Sequence, residues 1–164
     1  MRPRTPRALV ACALLGALAA CGQGLRERLP GVYVLDRETY RREALERLRE
    51  AQTTSAETLV GPARRAFERR LGEEADAQAA AVRLRLDLAD DGTFRVVFRY
   101  GDEQGHGRGT WVVRDSVVRL RTTEQNGRPL AQPPDATGTL EDGRLRLEGA
   151  HVPVPMPLLR AAAP

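Results

Sequence analysis

The sequence predicts an α+β fold, mainly β: an antiparallel meander curling into a barrel or half-barrel, with a helical hairpin inserted after the first strand. Three observations predict it. The apolar period switches from 3.6 to 2 at Ala81, Asp-Gly pairs at Asp91-Gly92 and Asp142-Gly143 punctuate alternating runs, and the helical pattern follows a short apolar run instead of preceding it. A sheet with a single apolar face must close on itself or bury that face under helices.

Gly31-Val-Tyr-Val-Leu35 is rich in β-formers and reads as the first strand. Asp36 then caps a helix in which Tyr40, Ala44 and Leu48 recur at i, i+4 and i+8, opposite a charged face carrying Arg41, Arg42, Glu46 and Arg49. Gln52-Thr-Thr-Ser55 interrupts the pattern. Gly61-Pro62 sets a boundary, because proline suits the first turn of a helix and not its interior. Leu59, Ala63, Phe67 and Leu71 continue at four-residue spacing, so 36–80 reads as a helical hairpin with one thin apolar stripe per helix. Its charges nearly cancel, as on a solvated face. Strands are expected near 81–88, 93–100, 108–113, 116–122, 137–141, 144–149 and 151–158, so that the meander runs from about 81 to 158.

Register can be tested on each hairpin. A two-residue turn at Asp91-Gly92 would place apolar residues on opposite faces. A three-residue loop, Asp90-Asp91-Gly92, pairs Leu88 with Phe94, Leu86 with Val96 and Leu84 with Phe98, and leaves Asp87 opposite Arg95 outside. At Glu141-Asp142-Gly143-Arg144 the two-residue turn wins, pairing Leu140 with Leu145. A corner at Arg114-Asp115 sets Trp111 opposite Val118, and 124–136 is a long loop. Val152-Pro-Val-Pro-Met-Pro-Leu158 lacks three N–H donors and is expected as an edge strand or polyproline segment.

The chain begins differently. Arg2, Arg4 and Arg7 form a basic region, and Ala8–Ala20 is an apolar segment too short to span a bilayer. Leu18-Ala19-Ala20-Cys21 resembles the lipobox of bacterial lipoproteins. The resemblance implies lipid transfer to Cys21, cleavage between Ala20 and Cys21, and a membrane partner held through the Cys21 lipid. On this reading 1–20 is a signal peptide, 21–30 a tether and 31–160 a single domain. Gly22 stands where an Asp would retain a lipoprotein at the inner membrane. The implied address is the cell envelope, at the outer membrane facing the periplasm if the source is Gram-negative.

Composition narrows the function. The 164 residues carry a net charge of +4, yet three of the positive charges leave with the signal, so the mature chain is near +1. Every basic residue is Arg, as an Arg-favouring genome would give, and no nucleic-acid partner is expected. With Cys12 in the signal and Cys21 lipidated, the domain has no thiol for a disulfide or a metal. His106 in a Gly-rich turn and His151 at a strand boundary lack ligand spacing. Asp87, Asp90 and Asp91 fail the calcium-loop pattern at Ala89 and Phe98. No catalytic motif is present, and Gly105-His-Gly-Arg-Gly109 has no helix N-terminus to hold phosphate. The expectation is a chain that is no enzyme and has no cofactor.

Gly31-Val-Tyr-Val-Leu-Asp36, Asp91-Gly-Thr-Phe94, Gly109-Thr-Trp111 and Asp142-Gly-Arg-Leu145 together look like the small lipocalin-like domains of bacterial lipoproteins. That resemblance implies a lipocalin-like barrel over 31–160. The helix pair after the first strand departs from the lipocalin order and resembles the intracellular lipid-binding proteins, in which such a pair lids the barrel mouth. No ligand residue is carried over from either family. From the apolar faces, Tyr33, Phe67, Phe94, Phe98, Tyr100 and Trp111 are the candidate ligand-facing residues. The expected function is a non-enzymatic binding or interaction domain for a small apolar ligand or an envelope protein; the alternative is a structural protein with a filled core. Outside, Arg83, Arg85, Arg95, Arg99, Arg119, Arg121, Arg144 and Arg146 interleave with Asp87, Glu141 and Glu148, which reads as a mixed solvated surface.

Overall fold

The computed structural model describes residues 24–52, 58–149 and 152–162. Nine strands are joined by hydrogen bonds: β1 (Gly31–Leu35), β2 (Val82–Leu88), β3 (Thr93–Tyr100), β4 (Glu103–Arg114), β5 (Val117–Gln125), β6 (Arg128–Pro129), β7 (Asp135–Glu141), β8 (Arg144–Gly149) and β9 (Val152–Arg160). Eight of them close into an antiparallel up-and-down barrel. β1 lies between β2 and β9, β4 pairs with β5, and only the two-residue β6 stands outside the ring, on β5. Closure removes every free edge, which is how an all-antiparallel meander hides its one apolar face.

The two Asp-Gly hairpins have the predicted registers. Leu88 faces Phe94, Leu86 faces Val96 and Asp87 faces Arg95, with Gly92 at φ 83 after the two aspartates. Leu140 faces Leu145 across Asp142 and Gly143, at φ 48 and 77, the type I′ geometry whose twist suits a hairpin. The next corner is one residue later than expected. Asp115 and Ser116 carry φ 51 and 64, so Trp111 pairs with Leu120 instead of Val118. Two short polar side chains tolerate the left-handed region better than the Arg-Asp pair would.

Other differences have equally local causes. β4 begins at Glu103, so the Gly-rich stretch 105–109 is strand and not turn. The expected long loop contains β6 and a tight turn at Asn126-Gly127, with φ 50 and 77. The proline-rich β9 is not an edge strand, since β8 and β1 flank it. Its pairing with β1 is confined to Leu158–Arg160, beyond the last proline. The Pro157 carbonyl accepts from the Asp36 N–H at 2.9 Å. The missing donor of Pro157 therefore faces the side where β1 has already ended.

The helical hairpin comprises α1 (Arg37–Ala51) and α2 (Gly61–Ala81). Asp36 caps α1, its carboxylate accepting from the Thr39 N–H at 3.2 Å and the Thr39 hydroxyl at 2.8 Å. The interruption after Gln52 lies largely outside the described residues, while Pro62 sits in the first turn of α2 as its geometry favours. The buried stripe of α2 is Phe67, Leu71, Ala75 and Ala79; Ala63 is exposed. Ion pairs Arg41–Asp76 and Arg49–Glu68 join the helices. Two more tie α1 to outward positions of β8, Arg144–Asp36 at 3.1 Å and Arg146–Glu43 at 2.7 Å. Pro157 is buried although its neighbours Met156 and Leu158 are the inward pair, so α1 lies against the outside of β8 and β9.

Turns at 89–92, 115–116 and 142–143 mark one end of the barrel, which is solidly filled. Tyr33, Trp111, Leu145, Leu158 and Val118 are buried there together. The Trp111 indole donates to the Ala89 carbonyl at 2.9 Å and the Tyr33 hydroxyl to the Leu29 carbonyl at 2.8 Å, so neither polar tip is left unpaired. Leu29 is fully buried, and 24–28 is helical with Leu25 packed on the core. Most of the expected tether is thus part of the domain. Among the described residues, every strand and every core side chain lies between 24 and 162.

Candidate functional site

The other end of the barrel is hollow. A cavity of about 540 Å³ opens there, and its deep lining is Leu86, Phe94, Leu120, Leu147 and Met156. Higher up come Val82, Leu84, Val96 and Phe98, and the mouth carries Arg83, Arg99, Tyr100, Glu103, Gln125 and Asp135. Leu130, Gln132 and Pro134 of the β5–β7 connection complete the rim.

The space has a cause in the pairing of β3 with β4. Phe94, Val96 and Phe98 lie directly opposite Gly109, Gly107 and Gly105. Six inward positions therefore carry only three side chains. The large ones lie flat over the glycines: a methyl group on Gly105 would sit 2.8 Å from Phe98 Cε1, and one on Gly107 3.2 Å from Val96 Cγ1. Glycine interior to a strand permits that close approach. Ordinary residues at 105 and 107 would project into the barrel and fill room now left open, whereas one at 109 would meet the backbone carbonyl of Arg121. This was the missed signal: glycines at period 2, in register with a Phe-Val-Phe strand.

Of the candidate residues, Phe94, Phe98 and Tyr100 line the cavity together. Tyr33 and Trp111 are not in its lining; they pack the filled end. Burial pushes the Tyr33 hydroxyl above the ordinary phenol range, against the Arg160 charge, so it stays protonated. Phe67 does not line the cavity either. It is buried in the hairpin with the Arg70 guanidinium 5.3 Å above its ring. None of the described hairpin residues lines the cavity, so of the two roles open to the hairpin, lid or structural cap, the lining gives no support to the lid. Tyr40 joins the barrel core at the foot of the hairpin, where burial raises its hydroxyl, with Arg47 opposing and Tyr100 adding to the shift.

His106 is an exposed strand residue whose backbone N–H donates to Asn126 Oδ1 at 3.0 Å. His151, Ala20 and Cys21 fall outside the described residues. Among the described residues, no three His, Cys, Asp or Glu side chains converge as a metal site would need. The arrangement can sequester an apolar body in a carbon-lined pocket and hold a polar group at the charged rim. The chain matches no protein family, no curated protein and no solved structure.

Proposed function

We propose that this chain is an envelope-anchored lipoprotein whose barrel is a non-enzymatic binding domain for a small apolar ligand. The observation that carries the reading is the cavity. An eight-stranded barrel is either just filled by side chains or holds one small ligand. Here one end is filled and the other encloses about 540 Å³, within the roughly 300–1,000 Å³ of small-molecule sites. Carbon lines the depth and charge the rim, the polarity a ligand with an apolar body requires. The anchor rests on the resemblance of Leu18–Cys21 to a lipobox. Because Leu25 and Leu29 already pack on the barrel, only Cys21–Gln23 would separate lipid from fold, a reach of roughly 10 Å at about 3.3–3.6 Å per residue. The barrel is then held close to its membrane from the end opposite the mouth.

One experiment reads both parts. Native mass spectrometry of the protein extracted from cells should show acyl mass on a chain beginning at Cys21, together with a dissociable apolar molecule. Leu84→Trp, which places a large side chain in the upper cavity, should remove the second mass and leave the first. A wild-type chain that carries no ligand and fails to take up a fluorescent fatty acid would leave the structural reading instead.

A further inference from the structure

The outer wall of β2–β5 carries a concentration of arginines, of which Arg83 and Arg99 also border the cavity mouth. Arg85 and Arg108 on this wall are answered by Asp87 and Glu124. Arg83, Arg95, Arg99, Arg114, Arg119 and Arg121 also occupy exposed outward positions, and none has a carboxylate partner among the described residues. Arg83 lies directly opposite Arg99, and Arg95 directly opposite Arg108. Like charges facing one another across a ladder are destabilising. Asp87, the cross-strand partner of Arg95, turns instead to Arg85 at 3.1 Å. The opposite side of the barrel behaves differently: Arg144 and Arg146 bind Asp36, Glu43 and Glu148. An Arg-rich genome explains why the cations are arginines. It does not explain why six arginines on one wall lack the ion pairs that Arg85 and Arg108 make there.

We infer that the β2–β5 wall is a docking surface for an anionic lipid bilayer, its arginines binding phosphate headgroups. Guanidinium groups pair bidentately with phosphate oxygens, and each basic side chain near an anionic bilayer adds to the attraction. Val97 and Val112, about half exposed among these arginines, offer apolar contact at the headgroup boundary. The wall is a convex sheet with no element to enter a nucleic-acid groove and no outward aromatic among its strands to stack a base. A barrel lying on this wall would open its mouth along the membrane. Docking through this wall requires neither an occupied cavity nor a lipid on Cys21, and a chain beginning at Gly22 lacks that anchor.

Chain 22–164, which contains the whole described fold, is floated with vesicles of phosphatidylcholine with and without phosphatidylglycerol. Binding is expected only with phosphatidylglycerol and should weaken as salt rises. Arg95→Gln, Arg119→Gln and Arg121→Gln together should weaken it about a hundredfold, and Arg121→Gln alone about fivefold. The single variant carries the test if the triple one loses the emission of the buried Trp111. Arg64→Gln, Arg65→Gln and Arg69→Gln on exposed positions of α2 remove as much charge and should leave binding unchanged. Equal binding to both vesicles, or equal loss in the α2 variant, overturns the assignment. So does retention on soluble polyphosphate with none on vesicles, which would make the wall a site for a free polyanion.

Discussion

Gly105→Ala and Gly109→Ala, identical changes four residues apart at the same parity of β4, should have different consequences. Neither glycine has a positive φ, so alanine is compatible with the backbone and should gain about 0.5–1 kcal/mol by restricting the unfolded chain. The surroundings decide the rest. A methyl on Gly109 overlaps the carbonyl oxygen of Arg121 and comes within 2.9 Å of the carbon bonded to it, beside the register shift between β4 and β5. A carbonyl held in a ladder cannot rotate away, so strands must separate. Overpacking typically costs about 1–3 kcal/mol, and this site belongs at the upper end, for a net loss of about 2 kcal/mol. The three atoms nearest to a methyl on Gly105 all belong to the ring of Phe98, which borders the cavity and can swing into it. Displacing a side chain from its rotamer costs about 0.5–1.5 kcal/mol, close to the entropy gain, so stability should hardly change while the cavity shrinks. Urea unfolding followed by Trp111 emission reads the first effect. With a slope of about 1–3 kcal/mol per molar, Gly109→Ala should lower the midpoint by roughly 1 M. Uptake of a fluorescent fatty acid reads the second, and Gly105→Ala should lose it at an unchanged midpoint. Equal destabilisation by both variants, or full uptake by Gly105→Ala, would refute the argument that the glycines of β4 create the cavity.

Two further outcomes concern the hairpin. Burial alone would raise the Asp36 carboxyl, but hydrogen bonds from the Thr39 hydroxyl and N–H and from Arg144 outweigh it and hold the group below the usual carboxylate range. A depressed folded-state pKa stabilises the fold above the unfolded value, and that contribution disappears as pH falls through the folded value. Asp36→Asn keeps a cap and loses the charge, so it should destabilise the wild type at pH 7 and converge with it in strong acid; parallel midpoint curves across the acid range would contradict this. Phe67→Ala removes a side chain buried within the hairpin and not one lining the barrel, so amide exchange in α1 and α2 should quicken while β-strand protection and fatty-acid uptake hold. Simultaneous loss of strand protection would show that barrel and hairpin unfold as one unit.

How much of this was legible in the sequence depended on whether the deciding forces were local. Asp90-Asp91-Gly92 and Asp142-Gly143 could be placed because turn chemistry and the inward parity of the flanking leucines agree on one register. Parity is blind to a slip of two residues, so the sequence alone places the Asp115-Ser116 corner one position early, at Arg114-Asp115. β9 looked like an edge because proline lacks a donor, and the fact that excuses it is the ending of β1 at Leu35, more than a hundred residues away. The hairpin position was equally hidden. Its anchors, Asp36 to Arg144 and Glu43 to Arg146, are 108 and 103 residues apart in sequence.

The cavity was hidden for a different reason. Its volume is a difference summed over inward positions of all the strands, and no window of sequence contains such a sum. What a window did contain was the pattern Gly105, Gly107, Gly109, read as a turn because glycine is a poor strand former. Strand geometry rescues it here, because the partner strand supplies the aromatic cover that the glycines lack. The same three residues thus weaken one strand, flatten Phe94 and Phe98 against it, and leave the barrel half empty. Gly109 is demanded by the Arg121 carbonyl beside it, but Gly105 abuts the ring of Phe98, which has room to move, so closing the sheet does not by itself require a glycine there. That β4 keeps its glycines while the opposite end of the barrel is packed around Tyr33 and Trp111 is the physical reason to regard the space as a site and not a flaw.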